Sequence, residues 1–418
     1  MDTNFNLENF ISTFVTGRET SLLAADLLKC DSELHARIDG KKVLVIGGAG
    51  TIGSSYIKAI LKFRIAKLVV IDINENGLTE LVRDLRSSAA YHIPDEFIPY
   101  PVNFGDAVFE KIFKHHGPFE IVANFAAHKH VRSEKDIFSI EAMLENNVLR
   151  ARKLLDLLLQ HPPEHFFCVS TDKAANPVNI MGASKKLMEE LIMAYADRLP
   201  IKTARFANVA FSNGSLPLGF LERIGKKQPL SCPLGIRRFF VSPQESGELC
   251  LIASVLGESG DIFFPKLDEE RDMIPFDRIA TDLLSALGFT PDICSSEEEA
   301  ITKAMLFQTH SPTLPVSQST SPSSAYPIYF FGSDTSGEKS FEEFYTGTEL
   351  LDKESYLNLG VVKNSKKRTI GEIDTIFNSL LDLFAAGTMT KANLVEILKV
   401  YLPNFDHIET GRGLDSKM

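Results

Sequence analysis

Positive charge is in short supply in this 418-residue chain: 44 Lys and Arg stand against 55 Asp and Glu, a net charge of −11 at neutral pH. A surface that tracks a phosphate backbone needs a basic stripe, so the balance argues against nucleic acid as a partner. Cysteine is scarce too, with five scattered positions (Cys30, Cys168, Cys232, Cys250, Cys294) and no C-x-x-C pair. An odd, dispersed set reads as buried thiols in a reducing compartment and not as a disulfide frame or zinc centre, so no metal is expected. No run approaches 18 consecutive apolar residues, and the N-terminus is polar and acidic. That pattern argues against a membrane span and a signal peptide, and we expect a cytoplasmic protein. No internal repeat is evident. What is present is an ordinary globular composition, 44% hydrophobic and 24% charged. The length suffices for a sizeable core and for two or three units.

Hydrophobic patterning changes at about residue 40. Residues 1–40 ("FNLENFISTFV", "TSLLAADLLKCDSELHARI") place apolar residues at helical spacing and read as a helical extension, a packing pair or an oligomer contact. From Lys41 come the short runs "KVLVIG", "KLVVID", "FIPYPV", "IVANFAA", "FFCVS" and "KTARFANV". Such runs, alternating with amphipathic stretches like "MLENNVLRARKLLDLLLQ", mark a parallel sheet covered on both faces. The fold class is therefore α/β: a doubly wound parallel sheet over 41–205, to which 239–262 is expected to return. Gly and Pro become frequent after Asn208, and 206–368 reads mainly as a smaller α+β substrate-binding part. "THSPTLPVSQSTSPSSAYP" (309–327) reads as a loop or linker. Residues 369–418 form a C-terminal extension whose "TIGEIDTIFNSLLDLFAAG" and "TKANLVEILKVYL" read as two amphipathic helices.

"KKVLVIGGAGTIGSSYIKAIL" is a strand, a glycine-rich turn and a helix. Gly48-x-Gly50-x-x-Gly53 fits the dinucleotide-binding fingerprint, and Gly47-x-x-Gly50-x-x-Gly53 its short-chain variant, with Thr51 and Ile52 inside the motif. Glycines there permit a tight turn and close backbone approach, so that helix N–H groups face a pyrophosphate. Asp72 closes the next strand 19 residues after Gly53, placed to accept hydrogen bonds from ribose hydroxyls. Its charge would repel a 2′-phosphate, and no Arg follows closely in "DINENGL", so NAD is favoured over NADP. Asn103 in "PVNFGD" reads either as a contact to the adenine edge or as a plain loop residue.

"GGAGTIG", "AAHKHV", "STDKAANPVNIMGASKK", "ARFANVAFSNGS", "RRFFVSPQESGEL" and "SDTSGEKSFEEF" occur in this order. Together they resemble the UDP-N-acetylglucosamine 4,6-dehydratases of bacterial polysaccharide and nonulosonic acid biosynthesis, within the extended short-chain dehydrogenase superfamily. The resemblance covers about 41–345, and the closing "HIETGRGLDSKM" is similar to tails of one soluble branch. It implies a Rossmann domain, a tightly bound and recycled NAD, a UDP-sugar substrate and a homo-oligomer, dimer or higher. The implied reaction oxidises C4, eliminates water across C5–C6 and returns the hydride to C6.

By this resemblance Asp172 is the acid to O6, Lys173 the base at C5, and Lys185 a ligand of the nicotinamide ribose. A lysine base must be neutral, so burial and nearby positive charge are expected to lower the Lys173 pKa from about 10.4, while Asp172 must be protonated. Met181 stands where short-chain dehydrogenases carry the tyrosine that moves a proton, which a thioether cannot do. It reads as an apolar contact to sugar or nicotinamide. The O4 proton then passes through Thr171, Asp172 or water, three routes the sequence leaves open. Ala126, Ala127, Lys129 and Asn147 are carried over as cofactor contacts. Lys129, Thr171, Asn208, Ser215, Arg238 and Glu338 are carried over as substrate contacts, Glu338 at the uridine end. Ala207 stands where the family usually has Gly, and "KHVRSEKD" lacks the usual Pro. Met in place of Tyr resembles the branch that retains configuration at C5. Two other readings are a nucleotide-sugar 4- or 5-epimerase and a non-catalytic NAD-binding sensor, the latter supported by Met181 alone.

Overall fold

A computed structural model describes residues 5–129, 134, 136–310 (307–310 as backbone only), 325–332, 342–363, 365 and 367–407. Most of the Ser/Thr/Pro-rich segment, Glu338 and nearly all of the closing "HIETGRGLDSKM" lie outside these residues. The six apolar runs form β1 (Lys42–Ile46), β2 (Lys67–Ile71), β3 (Glu96–Tyr100), β4 (Ile121–Asn124), β5 (His165–Val169) and β6 (Ile201–Ala204). Next come β7 (Asn208–Val209), β8 (Leu230–Pro233), β9 (Arg237–Val241) and β10 (Asp261–Pro265). β11 (Met273–Pro275), β12 (Thr290–Cys294), β13 (Ala325–Phe331), β14 (Leu351–Asp352) and β15 (Leu359–Val362) complete the set.

The large sheet runs β14-β15-β10-β6-β5-β4-β1-β2-β3. Pairing is parallel from β3 through β10, with β15 antiparallel to β10. Chain direction across the sheet reverses between β2 and β4, on either side of β1. In an open parallel sheet the crevice at that reversal, beyond the C-terminal strand ends, receives ligands. Alternation along β1 explains the double cover. Val43 and Val45 join Tyr56, Ile57, Leu249 and Ile252 under the helices Thr51–Ile60 and Pro243–Leu256. Leu44 and Ile46 join Leu154 and Leu191 under Arg150–Gln160 and Ile180–Ala194.

The second lobe holds two three-stranded sheets, β11-β9-β7 and β12-β13-β8, over a third core cluster. The region after β8 divides between lobes: β9 belongs to a small sheet, while Pro243–Leu256 and β10 build the large one. Phe10, Ile11 and Val15 of the N-terminal segment fill the small-lobe core, at about 1.5–3 kcal/mol for each large side chain buried. The helix Ala24–Ile38 packs instead on the large lobe through Leu34 and Ile38. Asp26 anchors it there by accepting the N–H groups of Leu357 and Asn358 at 2.6 and 2.9 Å. The helices Ile370–Ala385 and Lys391–Tyr401 cover the opposite face with Ile373, Ile376, Leu394 and Leu398. Among the described residues, no helix is long and apolar enough to cross a membrane, and no group of three His, Cys, Asp or Glu is placed to hold a metal.

Candidate active site

The glycine-rich turn leaves β1 in the left-handed region at Gly47, φ 78°. A Cβ on Gly47 would lie 2.5 Å from the Ala126 nitrogen, and one on Gly53 would lie 2.2 Å from the Gly47 carbonyl oxygen. The turn, the first helical turn and the segment after β4 therefore meet with no room for side chains. Gly50 occupies the N-cap of Thr51–Ile60 and offers no side-chain cap, so the leading N–H groups and the positive helix end suit a pyrophosphate. Thr51 accepts the Asn213 N–H on Oγ1 at 2.9 Å, joining the small lobe to this cradle, and Ile52 packs against the core clusters of both sheet faces.

Asp72 at the end of β2 accepts Ala49 N–H on one oxygen and Asn74 N–H on the other, each at 2.9 Å. A carboxylate has about four acceptor sites, so capacity for ribose hydroxyls remains. Asn103 uses its side-chain oxygen on the Gly105 N–H at 2.8 Å, a turn contact. The residues present thus fit a dinucleotide.

Beyond β5 the chain makes one 3₁₀ turn, Asp172–Ala174, with Thr171 at its N-cap. Thr171 Oγ1 donates to Asp172 Oδ1 at 2.6 Å, and Lys173 Nζ lies 3.2 Å from both Asp172 oxygens. Asp172 is buried while the Lys173 side chain is one-third exposed. A second carboxylate completes the group. Glu342 is buried and lies 3.9 Å from Lys173 and 3.7 Å from Arg238 Nε. It accepts Asn208 Nδ2 at 2.6 Å and Phe239 N–H at 3.0 Å. Burial, reinforced by the Asp172 charge, pushes the Glu342 carboxyl up to about 7. Lys173 differs from expectation. Burial lowers its pKa, but Asp172 and Glu342 outweigh burial, and the net shift is upward. Two carboxylates face it where one was foreseen, so the resting group is an ammonium.

Lys185 is buried on the helix Ile180–Ala194 and donates to the Val169 carbonyl at 2.8 Å, behind the Thr171–Lys173 turn. Burial lowers its pKa. Met181 is buried in the core cluster of that sheet face, and its N–H donates to Glu134 Oε1 at 2.9 Å. Asn147 sits in a π-helical turn, Glu145–Leu149. It holds the His128 backbone through N–H and C=O at 2.8 and 2.9 Å and donates to Ser184 Oγ at 3.0 Å. It thereby ties the Ala126–Ala127 segment to the Lys185 helix. Lys129 is exposed at the end of that segment. Ser215 caps the helix Leu216–Gly225 by accepting the Leu218 N–H. The structure therefore gathers Thr171, Asp172, Lys173, Asn208 and Arg238 around Glu342, while Ser215 acts as a helix cap.

Sequence reasoning passed over Glu342. Its signal was an acidic pair between aromatics, "FEEF", one residue after the "SGEK" that supplied Glu338.

The profile of the family described as "Polysaccharide biosynthesis protein" matches residues 43–363. The probable polysaccharide biosynthesis protein EpsC of Bacillus subtilis (strain 168) is 29% identical over 294 residues, 68% of this chain and 48% of that protein. The chain thus spans about half the length of that relative. Pen from Bacillus thuringiensis is similar in structure, with a TM-score of 0.60 at 19% identity over 80% of this chain and 91% of its own. The UDP-glucuronic acid 4-epimerase of Bacillus cereus, solved with UDP-glucuronic acid and NAD, gives a TM-score of 0.51 at 17% identity, covering 72% and 89%. At such identities the likeness concerns the fold alone, a Rossmann-like α/β parallel sheet with smaller sheets beside it. A profile match running from β1 through β15 takes in both lobes and the whole candidate site, and the chain belongs to the polysaccharide biosynthesis protein family.

Proposed function

We propose that the chain is an NAD-dependent UDP-N-acetylglucosamine 4,6-dehydratase that retains configuration at C5. The observation that carries this reading is the hydroxyl, acid and amine set side by side at the end of β5, in the order Thr171–Asp172–Lys173. Elimination of water needs an acid and a base at neighbouring positions of one sugar ring.

NAD, which the glycine turn of Gly47, Gly50 and Gly53 and the Asp72 carboxylate would hold, would supply oxidation at C4 and the return of hydride to C6. The chain's residues handle the protons. Thr171 takes the O4 proton and passes its own to Asp172 along the 2.6 Å contact. This route lets Asp172 start ionised beside the Lys173 ammonium and become the acid in the same step. Lys173, once neutral, removes H5, which the C4 ketone acidifies. Asp172 gives its proton to O6, and water leaves. Lys173 returns its proton to C5 from the face it took it, which preserves configuration. The proton that Thr171 passed to Asp172 leaves in the water, the one from O4 stays on Thr171, and Asp172 ends ionised as it began. Met181, buried and apolar, takes no part in the proton transfers.

Two measurements test the reading. Incubation of the purified protein with UDP-N-acetylglucosamine and no added NAD should give a new methyl doublet in the proton NMR spectrum, with D-xylo couplings. An L-arabino product would defeat retention, and an intact C6 hydroxymethyl with inversion at C4 would move the reading to an epimerase. Gly53→Ala, whose Cβ would strike the Gly47 carbonyl, should cut NAD retained through purification at least tenfold, as read by nucleotide release on denaturation. Full retention would remove the cradle from its assigned position.

A further inference from the structure

The dehydratase reading leaves one step unprovided for: Lys173 rests as an ammonium and must lose a proton before it can act at C5. Asp172 is not free to take that proton, because it is assigned the one from O4. We propose that Glu342 is the proton acceptor for Lys173, a positioning residue that generates the neutral amine at the end of β5. This proposal rests on the dehydratase reading and adds to it the residue that prepares the base.

The geometry carries it. Glu342 Oε1 lies 3.9 Å from Lys173 Nζ, reaching the cluster from a segment 134 residues beyond Asn208 in the chain. A rotation of the terminal lysine torsions closes that gap. The remaining contacts fix the carboxylate: Asn208 Nδ2 of β7 on one oxygen, Phe239 N–H of β9 on the other. The charged groups facing it are Asp172 and Lys173 from the turn after β5 and Arg238 from β9. Neighbouring Glu343 points elsewhere, accepting from Asn176 Nδ2 at 3.0 Å. A carboxyl held at about 7, against an ordinary value of about 4.3, makes stability fall as pH rises between those values, and the deficit persists above 7. Protein interiors that keep such a group commonly use it.

The step balances: the N–H bond of the ammonium breaks, an O–H bond forms on Glu342, and no other species is needed. After C5 is reprotonated, the proton on Glu342 returns to Lys173. Above about pH 7 the pair holds one proton between them, and the reactive arrangement, amine beside carboxylic acid, forms without solvent.

The test compares pH profiles of kcat for wild type, Glu342→Gln and Glu342→Asp. Wild type should level off above about pH 7. Glu342→Gln should be at least tenfold slower at pH 7.5 and keep rising about tenfold per pH unit to pH 9, because the amine must then lose its proton to solvent. KM should change less than threefold, and Glu342→Asp should recover part of the rate and the plateau. A glutamine variant with an unshifted plateau and wild-type kcat overturns the proposal, as does a uniform loss with unchanged pH dependence. A second arm needs no substrate: the ¹⁵Nζ NMR signal of Lys173, identified by its loss in Lys173→Arg, should show an inflection near pH 7 that Glu342→Gln abolishes. Its absence in wild type overturns the proposal. Its presence in a protein inert toward UDP-N-acetylglucosamine would sink the dehydratase reading and leave the Glu342–Lys173 couple standing.

Discussion

Replacing Lys173 by alanine is expected to lower turnover of UDP-N-acetylglucosamine by roughly a hundred- to ten-thousand-fold, the usual worth of a positioned acid or base, while NAD stays bound. The two effects separate because of where Lys173 sits. Its contacts are Asp172 and Glu342, whereas the cradle is built from the turn after β1, the end of β2 and the segment after β4. Lys173→Arg sharpens the test. An arginine restores the positive charge between the two carboxylates but does not deprotonate in a protein, so it should be as slow as alanine. An arginine variant with near-wild-type kcat would mean that charge alone is needed at this position. An alanine variant keeping more than a tenth of wild-type kcat would remove Lys173 from its role at C5. Product is read by the methyl doublet and bound nucleotide by its release on denaturation.

The large sheet was legible because its strands are buried on both faces. "KVLVIG" and "KLVVID" have no polar face to blur the run, and the glycine turn must follow the strand that delivers it. The Thr171–Lys173 turn was legible because it directly follows such a strand. Contacts that close through space were harder to read. Glu342 joins Asp172, Lys173 and Arg238 from a segment 134 residues beyond Asn208, and nothing near "FEEF" announces that its carboxylate is drawn to Asn208 and the Phe239 N–H. The lowered Lys173 pKa was expected because a lysine base must be neutral; in the structure Asp172 and Glu342 together outweigh burial and shift it upward. The 1–40 segment showed helical spacing, but spacing does not say which surface receives each part. Phe10 and Ile11 entered the small lobe and Leu34 the large one.

Replacing Arg205 by alanine is expected to cost about 3–5 kcal/mol of unfolding free energy, the range for removing one partner from a buried ion group. Arg205 is fully buried at the end of β6. Its guanidinium meets Glu189 through Nε and Nη2 at 3.0 and 2.6 Å. It also meets Glu349 at 2.9 and 2.8 Å and the Phe344 carbonyl at 2.9 Å. Glu189 in turn accepts Ser170 Oγ at 3.0 Å, next to Thr171. One cation thus ties the turn bearing the acid and base to the segment bearing Glu342, and its loss should loosen both. Burial opposes ionisation of Glu189, but Arg205 and Lys186 overcome it and hold its pKa far below the ordinary carboxylate value. Because the folded pKa is depressed, this contribution is complete above the unfolded value of about 4.3 and drains as pH falls toward the folded one. Wild type should therefore lose stability below about pH 4, and Arg205→Ala should lose much less over that interval. Replacing Arg205 and Glu189 together by Met should recover a large part of the loss at neutral pH, since no charge at position 189 is then stranded. Urea unfolding at pH 7, about pH 4 and about pH 3 reads all of this. A deficit below 1 kcal/mol in Arg205→Ala, or an acid sensitivity equal to wild type, would show that the Arg205 network does not hold the two halves of the site together.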